Sequence, residues 1–396
     1  MYYAVFDANN FYVSCERVVN PKLQGIPVVV ANPGGIILAR SEEAKALGIQ
    51  MAAPLFQIQE LLEEQGVVVI PTHFSLYGDI SQRIVTIIRE EFPFVEEYSI
   101  DESFVFFPAK GAVTEFEARC CRVRDKIKQW TGIPVSVGIA ATKTLAKVAV
   151  KRAKKLPHGV SVLDDKEVPE VLPHIPVGDV WGIGRALRKK LLAYGISTAG
   201  ELAAVDPISF RKKFSVTLAY TIQELQGKSC FHGRQVPKPA QSILCSESYR
   251  QAITTRSEVE KKLFALCHRA GQQLRQHQEV AGAMGLFLQG NRFKRTGVML
   301  GVQQHTTFVP ATAYTPTFTK FVSDVLPQVM SEGDEVKRAG VYLFDLTPEN
   351  SKQLAFFPSK MMSGDQSLKE QKAMMAIDAI TRKWGKKRSF FLTIAI

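Results

Sequence analysis

Residues 95–107 place two adjacent acids, Asp101 and Glu102, between two apolar runs. Tyr98-Ser99-Ile100 precedes them and Ser103-Phe104-Val105-Phe106-Phe107 follows. Strands over 95–99 and 103–107, with the acids near their junction, describe a hairpin. A single acidic turn residue says little, because such residues are common in turns. Two adjacent acids amid buried strands are different: they repel each other unless a cation is present. A third acid fits the same pattern. Residues 2–7 read as a short buried strand ending at Asp7. If these strands are neighbours, Asp7, Asp101 and Glu102 converge on one edge of a sheet. Two divalent ions about 3.5–4 Å apart need such a cluster, one to activate an attacking hydroxyl and one to stabilise a leaving phosphate oxygen.

Other ligand types are poorly represented. The six cysteines (Cys15, Cys120, Cys121, Cys230, Cys245, Cys267) form no C-x-x-C, and the seven histidines show no H-x-x-x-H spacing. That usage points to a reducing compartment without a thiolate metal site. Carboxylate oxygens suit Mg²⁺ or Mn²⁺. No apolar run approaches the roughly 18 residues of a membrane span. The start, Met1-Tyr2-Tyr3-Ala4-Val5-Phe6-Asp7, lacks the features of a signal peptide. A soluble cytoplasmic protein is the expectation.

The pattern of elements predicts an α+β chain of several domains. A helix capped by Asn9 or Asn10 runs to about Val19. Strands follow at Pro27–Ala31 and Ile36–Ala39, around the turn Asn32-Pro33-Gly34-Gly35, and a helix spans Ser41–Leu47. A long helix over 77–92, the hairpin, a helix over 115–130 and a strand over 134–139 complete a split βαβ sheet with helices on one face. Residues 165–232 read as short helices with basic turns, and 233–241 as a linker. Strand 242–249, helix 256–277, strands 281–289 and 297–303, helix 317–330 and strand 337–345 repeat a βαββαβ-like order. A helical stretch at 366–384 lies in the tail.

Charge is unevenly placed. Residues 1–165 carry 18 Lys+Arg against 19 Asp+Glu, a net −1, and residues 166–396 carry 32 against 19, a net +13. Such a split favours a polyanion partner. Two features sharpen this. In the helix Thr142–Lys155, Lys143, Lys147, Lys151 and Lys154 share one face, and residues 143–155 hold no acid. A solvated face is the bland reading; a triphosphate or DNA phosphate would offset the repulsion. Second, Trp181-Gly182-Ile183-Gly184-Arg185 opens a basic helix with Arg188, Lys189 and Lys190. Leu187 stands where a dinucleotide fingerprint needs its third glycine. A helix-hairpin-helix fits better: its glycines let backbone N–H groups approach phosphate without reading sequence.

These residues resemble the Y-family, lesion-bypass DNA polymerases, most closely the UmuC branch, the catalytic subunits of bacterial DNA polymerase V. The motifs are Phe6-Asp7-Ala8-Asn9-Asn10-Phe11-Tyr12 with Ser14-Cys15-Glu16; Pro27-Val28-Val29-Val30; Ala39-Arg40 with Glu43-Ala44-Lys45-Ala46-Leu47-Gly48; Tyr98-Ser99-Ile100-Asp101-Glu102; Val137-Gly138-Ile139-Ala140; Lys143-Thr144-Leu145-Ala146-Lys147; and Trp181-Gly182-Ile183-Gly184. The resemblance implies a right-hand polymerase. Its βαββαβ palm would be 1–20 and 75–165, its small fingers 21–74, its helical thumb 166–232 with the helix-hairpin-helix near 179–190, and its α/β little finger 242–346. By motif match Asp7, Asp101 and Glu102, with the Ala8 carbonyl, would hold two Mg²⁺ ions. Tyr12 would be the steric gate against a ribose 2′-hydroxyl, and Phe11 would pack beneath the nucleotide. Lys45 and Lys154 would contact the triphosphate, and Leu38 and Ala39 would roof the base pair. Many relatives carry Tyr and Arg where this chain has Glu42 and Lys45, and Lys45 is a point charge, not a bidentate fork.

The resemblance further implies translesion synthesis in the SOS response, on primer-template DNA with dNTPs. Gln353, Leu354, Phe356 and Phe357 resemble a peptide that docks on the β sliding clamp. In the UmuC branch the remaining tail engages a UmuD′ dimer, alongside a RecA filament; here Met374, Met375, Ile377, Ile380, Phe390, Phe391 and Leu392 could instead pack on the chain's own little finger. A nucleotide cyclase has no use for a helix-hairpin-helix. A non-catalytic DNA-binding repair subunit has no use for the three carboxylates; a partner-dependent one stays open as the alternative.

Overall fold

The computed structural model of the protein describes residues 1–107, 113–231, 240–290, 301–349 and 364–384. Most of the expected linker lies outside the described residues. So do the expected clamp peptide (Gln353, Leu354, Phe356, Phe357) and Phe390, Phe391 and Leu392. The chain divides into two compact units, Met1–Pro237 and Lys238–Ile396. Among the described residues no helix is long and apolar enough to cross a membrane.

The first unit opens with β1 (Tyr2–Ala8) and α1 (Phe11–Val19). A small sheet follows, built from β2 (Val28–Ala31), β3 (Ile37–Arg40) and β4 (Val68–Pro71), with helices α2 (Glu42–Ala46) and α3 (Gln59–Glu64) between β3 and β4. In it β2 runs antiparallel to β3 and parallel to β4. Next come α4 (Phe74–Glu91), β5 (Val95–Glu97), β6 (Glu102–Phe107), α5 (Val113–Thr131), β7 (Val135–Ala140), α6 (Lys143–Ala153) and β8 (Val160–Leu163). The large sheet has the order β5-β6-β1-β7-β8. Apart from the small sheet, β1-α4-β5-β6-α5-β7 is the expected βαββαβ order.

The large sheet is covered on both faces, not on one as the sequence suggests. Side chains of β1 alternate between two cores. Ala4, Phe6 and Ala8 join Val137, Ile139, Ile88 and Phe116 on one side. Tyr3 and Val5 join Phe104, Leu145 and Val148 on the other. A strand with nearly every residue buried needs cover on both sides. The second cover is α6, and it lies very close. A Cβ on Gly138 would stand 2.1 Å from the Val150 nitrogen and 2.3 Å from the Ala146 oxygen. Only glycine admits a helix this near. Thr142 caps α6, its hydroxyl accepting from the Leu145 amide at 3.2 Å.

Five short helices then pack on that second core: α7 (Val168–Val171), α8 (Arg185–Ala193), α9 (Ala199–Ala204), α10 (Pro207–Lys213) and α11 (Val216–Leu225). Glu224, with no exposed surface, ties them to α6. Its carboxylate accepts from the Thr144 amide at 3.0 Å, from Cys230 at 2.7 Å and from Phe231 at 3.0 Å. The first of these lies at the N-terminus of α6, where the helix dipole favours an anion.

The second unit comprises β9 (Ser242–Ile253), α12 (Arg256–Gln276), β10 (Glu279–Gln289), β11 (Gly301–Thr312), α13 (Thr315–Val329), β12 (Val336–Pro348) and α14 (Gly364–Trp384). Its antiparallel sheet has the order β11-β10-β12-β9, and one face packs on α12 and α13 through Val259, Leu263, Phe318 and Leu326. Residues 297–300 of the strand expected at 297–303 lie outside the described residues, and β11 runs beyond the expected end to Thr312. Pro310 is tolerated there because β11 is an edge strand with a register shift opposite Ala281–Ala283. In α14, Asp378 accepts two hydrogen bonds from Arg275 of α12, at 2.7 and 2.9 Å, and Met374 and Ile377 are buried while Met375 is exposed.

Replacing Glu224 by Ala leaves three amides without acceptors. The first unit should lose at least about 3 kcal/mol, read as a lower urea midpoint for that unit's transition in the intact chain. An unchanged midpoint would show that Glu224 is not the anchor.

Candidate functional site

Strand register assembles the site. Asp7 lies directly opposite Glu102 across β1 and β6. The next amide, Ala8, donates to the Asp101 carbonyl at 2.9 Å. Residues 98–101 form the turn, closed by the Tyr98 and Ser99 amides donating to the Glu102 carbonyl. Asp7, Asp101 and Glu102 therefore lie together at one end of the β1–β6 strand pair. Asp7 and Glu102 face each other, whereas the Asp101 carboxylate accepts from the Ser99 hydroxyl at 2.5 Å. Among the described residues no three acidic, histidine or cysteine side chains close around a single point.

The cation that adjacent acids demand is supplied here by lysines. Lys154 lies 2.8 Å from Asp7 Oδ1, and Lys147 pairs with Glu102. The rest of the stripe is matched as well: Lys143 pairs with Glu96, and Lys151 donates to the Asp179 carbonyl at 2.6 Å. The sequence suggests an unbalanced stripe, because α6 holds no acid; tertiary partners provide the balance. Lys143, which is buried, and Lys151 serve the fold, and only Lys147 and Lys154 reach the site carboxylates. Burial holds the Glu102 carboxyl above its ordinary range, Lys147 pulls it down, and Asp7 pushes it up again. The donor set of carboxylates with ammonium partners fits a site that takes divalent cations in their place.

The chain leaves β1 through Asn9 and Asn10. Asn10 adopts a left-handed conformation (φ 47°) and makes no side-chain cap, contrary to the sequence expectation. Its amide instead donates to Glu42 at 2.9 Å, while Asn9 Oδ1 accepts from Ser136. Tyr12, on the first turn of α1, is half-buried, and Phe11 is buried in the core beside it. Burial, and then the charges of Asp101 and Cys15, push the Tyr12 phenol above its ordinary value. On the small sheet, Ala39 is buried in the core shared with Phe6 and Phe11, and Leu38 is half-buried. Lys45 is paired with Glu42 at 2.6 Å.

The expected helix-hairpin-helix residues lie at the start of α8. Gly182 has φ +88°, which favours glycine, and a Cβ at Gly184 would meet nothing within 4 Å. Arg185, Arg188 and Lys189 are exposed. Trp181 fixes this segment to the hairpin, its indole donating to the Tyr98 hydroxyl at 3.0 Å. Sequence reasoning assigned no role to Ser99, Glu16 or Tyr77, and it set Lys147 against a phosphate, whereas Lys147 pairs with Glu102. Glu16 gave a signal, since it is an acid on the apolar α1 among Val13, Ser14 and Cys15.

Comparison with known proteins agrees along the chain. Residues 6–151 match the impB/mucB/samB family, 240–356 its C-terminal domain and 165–196 the IMS family HHH motif. The chain is 35% identical to Protein ImpB of Salmonella typhimurium, covering 90% of this chain and 85% of that one. It is 33% identical to Protein UmuC of Salmonella typhimurium (strain LT2), covering 98% and 92%. The structure resembles a Y-family DNA polymerase chimera, Dbh-Dpo4(243-245)-Dbh, with a TM-score of 0.68 and 20% identity, covering 87% of this chain and 99% of that one.

A divalent ion entering the site competes with the two ammonium groups. Lys147→Met should tighten Mn²⁺ binding in the absence of DNA by on the order of tenfold, read by Mn²⁺ paramagnetic resonance. Weaker binding in the variant would mean that Lys147 helps to build the site and does not compete for it.

Proposed function

The chain belongs to the impB/mucB/samB family, in the UmuC branch of the Y-family DNA polymerases, and on that premise we propose how it performs template-directed, low-fidelity translesion synthesis. The observation that carries the reading is the opposition of Asp7 and Glu102, with Asp101 bonded through its backbone to Ala8. Asp7, Asp101 and Glu102, with the Ala8 carbonyl, are assigned as the ligands of two Mg²⁺ ions, with Mn²⁺ as a substitute. When bound, such ions lower the pKa of the primer 3′-hydroxyl and stabilise the leaving pyrophosphate oxygen. That hydroxyl attacks the α-phosphate of the dNTP and pyrophosphate leaves.

The other residues position the substrates. Lys154 sits beside Asp7, so it can pass from the carboxylate to the triphosphate as the nucleotide arrives. Lys45 reaches the triphosphate from the small sheet by leaving Glu42, an exposed pair that costs little to break. Phe11 supports the nucleotide, Tyr12 excludes the 2′-hydroxyl, and Leu38 and Ala39 lie over the base pair. The palm is assigned to 1–20 and 75–165, the fingers to 21–74, the thumb to 166–232 and the little finger to 242–346. Gly182, Gly184, Arg185, Arg188 and Lys189 hold the backbone of the primer-template duplex. Gln353, Leu354, Phe356 and Phe357 dock on the β sliding clamp, and a UmuD′-like dimer and a RecA filament act with the chain in the damage response.

Asp101→Ala should lower Mg²⁺-dependent primer extension at least about a hundredfold and leave DNA affinity within about twofold; undiminished extension would end the metal assignment. Replacing Arg185, Arg188 and Lys189 together by Ala should weaken binding to all duplex sequences alike. The slope of log affinity against log salt should become shallower by about 0.9 for each phosphate that is no longer neutralised. An unchanged salt slope would remove α8 from the DNA interface.

A further inference from the structure

Four side chains on two helices form a clasp behind Tyr12. Tyr12 and Glu16 are four residues apart on α1, so they share a face. Tyr77 lies four residues after His73, where α4 begins. The Tyr77 ring stacks on Tyr12, with centroids 4.4 Å apart and planes 15° apart. Phe74 meets both rings edge-on, at 6.0 and 6.1 Å. Tyr77 has no exposed surface, and its hydroxyl donates to Glu16 Oε1 at 2.6 Å. The same oxygen lies 2.8 Å from His73 Nδ1. Glu16 is itself 4% exposed, so this is a buried carboxylate held by two side chains from the start of α4.

The clasp limits where the Tyr12 ring can go. A half-buried aromatic on the first turn of a helix has more than one staggered rotamer open to it. Tyr77 covers one face of the ring, and Phe74 stands at its edge. Charge-assisted hydrogen bonds to buried carboxylates are short and strong, so Tyr77 cannot drift without weakening the hold on Glu16. His73 also follows β4 closely, which ties the clasp to the small sheet.

We propose that Tyr77, held by Glu16, is a positioning residue for sugar selection: it fixes the Tyr12 ring so that the ring's free face meets the nucleotide sugar. This rests on Tyr12 being the gate. The two ideas fail differently in one experiment on the full chain, single-nucleotide insertion of dATP and ATP opposite template T. The readout is the ratio of kcat/KM for dATP to that for ATP, in wild type, Tyr12→Ala, Tyr77→Leu, Tyr77→Phe and Glu16→Gln. Tyr77→Leu should lower the ratio about tenfold, chiefly by raising kcat/KM for ATP, because a misplaced ring no longer excludes the 2′-hydroxyl. Tyr77→Phe keeps the stack and loses the hydrogen bond, so it should restore most of the discrimination; Glu16→Gln should fall between the two. In the Tyr12→Ala background, Tyr77→Leu should change the ratio no further. If Tyr12→Ala leaves the ratio unchanged, the gate itself is refuted. If Tyr12→Ala lowers it while Tyr77→Leu and Glu16→Gln slow both nucleotides equally, Tyr77 and Glu16 serve only the core and the proposal falls. Should Tyr77→Leu not fold, Tyr77→Phe and Glu16→Gln decide by the same ratio.

Discussion

Two carboxylates held face to face at the end of a strand pair govern this molecule. Antiparallel register puts Asp7 opposite Glu102, and burial makes their repulsion hard to escape into solvent. The answer is α6, which delivers Lys147 and Lys154. Delivery requires the helix to lie nearly on the backbone of β7, hence Gly138. It also requires the start of α6 to be fixed, hence Thr142 and the buried Glu224. The five helices that follow are held to the sheet through this same helix and core. An electrostatic demand at the end of one strand pair thus reaches as far as Phe231.

The strands bearing the acids were legible because their apolar runs stop at an acid. β1 ends next to Asp7, and β6 starts at Glu102. Two strands were harder to see. The run Val67-Val68-Val69-Ile70 after Gly66 becomes β4, and Val160-Ser161-Val162-Leu163 after Gly159 becomes β8. Both are parallel partners whose neighbours lie far away in sequence, so no hairpin signal marks them. The second cover of the large sheet was missed for a related reason. The all-apolar texture of β1 does signal burial on both faces, but the cover comes from a helix that reads as basic. Side-chain partners were the least legible. Asn10 has the chemistry of a cap, and only the folded chain shows its amide at Glu42 instead.

The second unit repeats the βαββαβ order without the acids. Its strands read clearly as apolar runs, although one face packs on α12 and α13 and the buried positions of β10 and β12 do not alternate strictly. The tail was ambiguous in sequence, since its apolar residues could serve another protein or this one. Over the described residues they are divided. Met374 and Ile377 are buried and Asp378 is clamped by Arg275, while Met375 remains exposed. Burial lowers the pKa of His268 on α12, with Arg275 acting in the same direction and Asp378 of α14 opposing.

The exposure of both partners decides which lysines the fold can release. The Lys143 side chain is 4% exposed and that of Lys147 16%, against carboxylates 29% and 16% exposed. Breaking such pairs leaves charge uncompensated where water is scarce, a cost of roughly several kcal/mol. Lys45 at 37% is paired to a carboxylate that is itself 72% exposed, whereas Lys154, 42% exposed, is paired to Asp7 at 8%. Exposed pairs contribute at most about 1 kcal/mol and exchange partners freely. The lysine with a partner the fold can spare is therefore Lys45, beside the small sheet; Lys154 leaves the buried Asp7 only where another cation takes its place. Lys143, Lys147 and Lys154 each neutralise a carboxylate that is 29% exposed or less, so the fold releases none of them as cheaply as Lys45.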